Sequence, residues 1–183
     1  MLKKVLLSSV LSLGLISSLN AYEVNGDLGV KWVGYKNKVK VGVPGTFKEV
    51  TLSIEKNDDL SEFLKSANVS INTLSLDSKL PFRDKNITST LFSLVSAKEI
   101  KGSIASVDVE KNELVLKVTM NQIEKDVLMK FEKSDSTIMA KGKIEILDFD
   151  LKDSFLAFAK KCGALHQMTS YSDVDIEFTL PYK

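Results

Sequence analysis

One cysteine, one histidine and three prolines in 183 residues close off several chemistries at once. Cys162 has no second thiol to join, so neither an internal disulfide nor a Cys-x-x-Cys motif can form. There is no Gly-rich phosphate loop, no haem attachment motif and no Gly-x-Ser-x-Gly elbow. A nucleophile–His–acid triad would have to use His166, with Ser170, Ser172 or Cys162 as nucleophile and Asp173 as orienter. Charge of either sign is not in excess: 25 Lys+Arg stand against 24 Asp+Glu, a formal net of +1, which argues against a nucleic-acid partner. With 44% hydrophobic and 27% charged residues, the composition is that of an ordinary globular chain with enough length to bury a core.

The first segment differs from the rest. Lys3 and Lys4 precede an apolar run from Val5 to Leu15 that is too short to span a bilayer, and small residues then lead to Ala21. This is the order of a secretory signal peptide, with cleavage expected near Ala21 and residues 22–183 as the exported domain. No cysteine follows the cut for lipid attachment, and no long apolar run remains beyond it.

The exported part alternates with a period of two in many places. Leu28–Tyr35, Val39–Val43, Phe47–Ile54, Ala67–Leu74, Lys98–Val109, Glu113–Met120, Lys125–Glu132, Thr137–Leu147 and Val174–Leu180 read as strands. Pro44-Gly45 reads as a turn or bulge, and residues 77–81 as a loop. Helical spacing is confined to Asp59–Ser66, to Asp153–Ala164 with Asp153 or Ser154 as cap and Gly163 as stop, and weakly to Arg83–Phe92. The pattern predicts a mainly β domain: one antiparallel barrel of about eight strands with one or two short helices. A barrel of that size either fills with side chains or holds one small ligand, and periodicity leaves both open.

Four stretches give the chain a resemblance to the YceI-like family, the bacterial lipocalin-like polyisoprenoid-binding proteins. They are Val33-Gly34-Tyr35-Lys36 with Val43-Pro44-Gly45-Thr46-Phe47; Ile71-Asn72-Thr73-Leu74-Ser75-Leu76 with Phe82-Arg83-Asp84; Leu116 to Asn121 with Val127; and Ile146 to Phe149 through Cys162, Leu165-His166 and Asp173 to Phe178. Where many members have a His after the Arg-Asp pair this chain has Asn86, and Leu91-Phe92 stands where paired aromatics are usual. The resemblance implies a lipocalin-like barrel closed at one end whose apolar cavity holds a polyprenyl chain, such as a quinone tail or polyprenyl phosphate. It also implies a periplasmic binding protein rather than an enzyme, needing no cofactor beyond its lipid and no metal. The partner would be the isoprenoid lipid, with room for a homodimer and for transient membrane contact.

Candidate pocket residues follow from the two readings together. Trp32, Leu116, Val118, Met120, Met129 and Phe131 are inward candidates on strands, and Phe82, Leu91, Phe92, Phe149, Phe155 and Phe158 would line the pocket or its lid. Arg83, beside Asp84, is either a head-group contact at the mouth or part of a pair that ties a loop. Cys162 and His166, four apart, are either two ligands of a soft metal or a buried thiol and a hydrogen-bonded imidazole. A barrel with a filled core acting through its surface is the competing function. A hydrolase using His166 fits less well because no recognisable catalytic constellation accompanies that lone His, and an outer-membrane barrel because one face of most strands carries Lys, Asp and Glu such as Lys117, Lys130, Asp175 and Glu177.

Overall fold

The computed structural model describes residues 21–183, so the expected export signal falls, all but its last residue, outside the described residues. In chain order the strands are β1 (Gly29–Lys36), β2 (Val41–Phe47), β3 (Val50–Ser53), β4 (Asn68–Asn72), β5 (Leu76–Asp77), β6 (Glu99–Asp108), β7 (Glu113–Met120), β8 (Ile123–Lys133), β9 (Thr137–Glu145) and β10 (Asp173–Pro181). Helix α1 (Leu60–Lys65) lies between β3 and β4, α2 (Pro81–Thr88) between β5 and β6, and α3 (Lys152–Cys162) between β9 and β10. All ten strands join one antiparallel sheet in the order β3-β4-β6-β7-β8-β9-β10-β1-β2-β5, curled into a half-barrel.

Alternation sets the faces. On β7, Leu114, Leu116, Val118 and Met120 are buried while Glu113, Val115, Lys117 and Thr119 face outward. The outer wall pairs its charges across neighbouring strands: Lys117 with Glu124 at 2.8 Å and Asp126 at 3.2 Å, Lys130 with Glu113, and Lys143 with Asp173 at 3.0 Å and Asp175 at 3.2 Å. Each such exposed pair contributes no more than about 1 kcal/mol, so the wall is made polar by them rather than held together.

The strand count is ten, not eight, and the reason is local. β2 and β3 form one extended run broken only at Lys48-Glu49, and β4 and β5 form another broken by the 3-10 turn Thr73–Ser75. The two breaks face each other: the Lys48 N–H donates to the Ser75 carbonyl, the Asn72 N–H to the Glu49 carbonyl, and the Glu49 N–H to Ser75 Oγ. Because β2 and β3 sit near opposite ends of the sheet order, this corner draws the two ends together. Phe47 and Val50 are three residues apart, no more than about 11 Å of chain. The break does not fall at Pro44-Gly45, which lies inside β2 and pairs with Val33 and Trp32 of β1. Only the Pro44 side of that pair lacks a donor, and β2 tolerates it without a turn.

Three helices form rather than one or two. α1 is capped by Asp59, whose carboxylate accepts from the Glu62 N–H at 2.9 Å, and it packs Leu60, Phe63 and Leu64 across the far end of the barrel. α2 starts at Pro81, earlier than its sequence pattern suggests, because proline suits the first helical turn. α3 starts after Leu151 with no side-chain cap, so neither Asp153 nor Ser154 caps it, and Gly163 continues into a 3-10 turn (Gly163–His166). α2, α3 and that turn cover the near end.

Candidate functional site

Within the curled sheet lies an almost wholly apolar cavity of about 360 Å³. This falls within the range of small-molecule sites. It runs from Leu64 and Ala67, beside α1, to Leu80, Phe82, Leu165 and Tyr171 at the near end. Leu64 and Ala67 are buried, so the α1 end is blind. Leu80, Phe82 and Leu165 both line the cavity and are exposed, so the near end is the mouth.

Of the residues expected at a pocket, Trp32, Phe82, Arg83, Leu91, Phe92, Leu116, Val118, Met120, Met129, Phe155 and Phe158 line the cavity. Phe131 and Phe149 do not, although both are buried. Phe131 is two residues beyond Met129 on β8, where its N–H donates to the Asn112 carbonyl at 2.9 Å; it is buried in the core without reaching the cavity, although its cross-strand partner Ala140 borders it. Phe149 sits in the 3-10 turn (Ile146–Phe149) before α3, its carbonyl accepting from Asn121 Nδ2 at 2.9 Å. The Trp32 indole lies across Gly45, where a Cβ would come within 2.1 Å of the ring.

Arg83 and Asp84 do not pair with each other; both hold Ser78. Arg83 Nε donates to Ser78 Oγ at 2.7 Å and Nη2 to the Ser78 carbonyl at 2.6 Å, while the Asp84 carboxylate accepts from the Ser78 N–H at 2.9 Å and from its hydroxyl. These bonds fix the loop that leads into α2. Next to it, Lys79 donates to the carboxylate of Asp77 through its N–H and Nζ, which with Lys48 nearby lowers Asp77 to about 2.

Besides Arg83, the polar residues that line the cavity include Lys36 at the end of β1, Asn86 on α2, and Cys162, His166 and Tyr171 from the end of α3 onward. His166 Nδ1 lies 2.7 Å from Ser170 Oγ, and the ring meets Phe158 edge-on at 5.6 Å between centroids. Burial, assisted by the Lys36 ammonium, holds the imidazole below its usual value and therefore neutral at pH 7. Burial raises the Cys162 thiol against the opposing effect of the neighbouring Asn86 amide. Cys162 is thus buried and the His166 imidazole is within hydrogen-bonding distance of Ser170; no group of three His, Cys, Asp or Glu side chains placed to hold a metal ion occurs among the described residues. Sequence reasoning passed over Lys36, Asn86 and Tyr171 as site residues. Asn86 carried a signal, standing where the resemblance to the YceI-like family leads one to expect a histidine; Lys36 carried none, since a lysine ending a strand is ordinary.

The family model for the YceI-like domain matches residues 18–181. Among solved structures, BcnA of Burkholderia cenocepacia superposes with a TM-score of 0.59 at 16% identity, covering 87% of this chain and 99% of that one. A polyisoprenoid binding domain from Saccharophagus degradans, implicated in plant cell wall breakdown, gives 0.62 at 13% identity over 89% and 97%. A mutant Campylobacter jejuni YCEI protein with a monobromobimane guest gives 0.56 at 14% identity over 77% and 84%. No curated protein sequence matches the chain closely enough to count as a relative. At these identities the superpositions speak to the fold, and the family match, which spans nearly the whole chain, speaks to descent: the chain belongs to the YceI-like domain family.

Proposed function

We propose that this protein is a periplasmic carrier of an isoprenoid lipid, with the prenyl tail in the cavity and the head at the mouth. The observation that carries this reading is the one-ended apolar cavity, which suits a long hydrocarbon with a single polar end. Each Å² of prenyl surface taken out of water contributes roughly 25 cal/mol. The family, and a neighbour that is itself a polyisoprenoid binding domain, favour a binding protein over an enzyme. An open cavity disfavours a barrel with a filled core. The charged outer wall disfavours a barrel that faces lipid on its outside. In this reading the head group meets Lys36, Asn86, His166 and Tyr171, because Arg83 is engaged by the Ser78 loop.

The test is to purify the exported protein from a periplasmic extract and analyse its organic-solvent extract by mass spectrometry. A prenyl quinone or polyprenyl phosphate near one per protein is the expected result. A clean extract, with no prenyl lipid taken up on incubation, overturns the reading.

A further inference from the structure

We infer that the rim of the cavity mouth is a docking face for an anionic lipid bilayer. This goes beyond carriage of a ligand: it assigns a surface and its partner. Four apolar side chains at this end stand in water, Phe82 at 62% exposed, Leu165 at 58%, Val39 at 81% and Met168 at 82%. They are neighbours in space. The β1–β2 turn that bears Val39 is tied to the segment bearing Met168 by the Asn37 N–H donating to the Thr169 carbonyl at 3.1 Å and by the bridge between Lys36 and Ser170. Leu165 and Phe82 share the cavity opening.

Charge at the rim is less fully compensated than on the wall. On the wall, Lys31, Lys101, Lys117, Lys130, Lys141 and Lys143 each meet a carboxylate. At the rim, Lys40 pairs with Asp173 and Lys79 with Asp77, but Lys36, Lys38, Lys85, Lys160 and Lys161 have no ion-pair partner among the described residues. No Asp or Glu occurs from Lys160 to Ser172, and the Asp84 carboxylate is occupied by Ser78. Exposed apolar tips beside five unpaired lysines match a bilayer surface, which offers hydrocarbon below and anionic groups around it. A second copy of the same face would set those lysines against one another. A bilayer has no such conflict, and it is where a lipid with a long tail resides.

The test uses residues 22–183, which contain the whole described fold and leave out the apolar first segment that would itself insert. Sedimentation with phosphatidylglycerol–phosphatidylethanolamine vesicles is compared with phosphatidylcholine vesicles. Binding is expected on the anionic vesicles and should weaken as salt is raised from about 0.05 M to about 0.5 M. Val39→Ser with Met168→Ser, neither of which lines the cavity, should weaken it about tenfold while lipid uptake from detergent stays unchanged. Leu128→Ser, exposed on the β8 wall, should have no effect. Equal binding to both vesicle types, indifference to the double substitution, an equal loss with Leu128→Ser, or a dimer that the double substitution dissolves would each overturn the docking face. Vesicle binding by a protein that takes up no prenyl lipid leaves the docking face standing and removes the carrier reading; lipid uptake without vesicle binding does the reverse.

Discussion

Gly45 is small because of one ring. A methyl group there would lie 2.1 Å from Cζ2 and 2.5 Å from Cε2 of Trp32, atoms of a rigid indole rather than the tip of a flexible chain. Gly45→Ala is therefore expected to displace Trp32 and to cost about 1–3 kcal/mol in urea unfolding. Trp32 is the single tryptophan of the chain and it lines the cavity, so the same substitution should shift the intrinsic emission, and so should prenyl-lipid binding to the unaltered protein. His166 gives a second handle. Burial beside the Lys36 ammonium holds its folded pKa below the ordinary 6.5 of a free imidazole. The unfolded chain then binds the proton more readily, so stability holds above about pH 6.5 and is lost as pH falls from there towards the folded value. Thermal melts between about pH 7.5 and about pH 5 should show this loss, and His166→Gln should flatten it.

α2 depends on contacts made ahead of it. Arg83 and Asp84 both clamp Ser78, so Asp84→Ala removes a carboxylate acceptor from a buried N–H and hydroxyl. The expected cost is about 2 kcal/mol, with early protease cleavage near residues 77–81 as the local signature. Most elements were legible because alternation exposes a strand's two faces directly: Leu114 to Met120 and Val127 to Phe131 need no further information. What alternation does not encode is which side chains of the inner face reach the cavity. Met129 and Phe131 share a face, yet one borders the cavity and the other is buried in the core without reaching it. The corner at Lys48-Glu49 was equally hidden, since its hydrogen bonds come from residues 72–75, far along the chain, while the visible Pro44-Gly45 pair proved to be strand. The mouth's polar side escaped for the same reason: Lys36, Asn86 and His166 converge only when β1, α2 and the end of α3 are brought together.

The molecule as a whole is a sleeve with one opening. α1 stops the far end with Leu64 lining the cavity, backed by Phe63, which stacks on Tyr22 at 5.7 Å between centroids. Leu64→Trp should shorten the sleeve and shift preference towards shorter prenyl tails, by about tenfold for each pair of chain lengths that differ by more than the space lost; competition between prenyl quinones of graded length measures it. For the carrier proposed above, a single opening would also fix an order of events. A tail that enters first leaves last, so cargo never passes through the barrel and never reverses within it. In that reading the polar end would stay at the rim from loading to release, and whatever accepts the lipid would approach the same face that gave it up. Delivery by such a sleeve is a matter of turning the whole molecule round, with direction set by the two surfaces it visits.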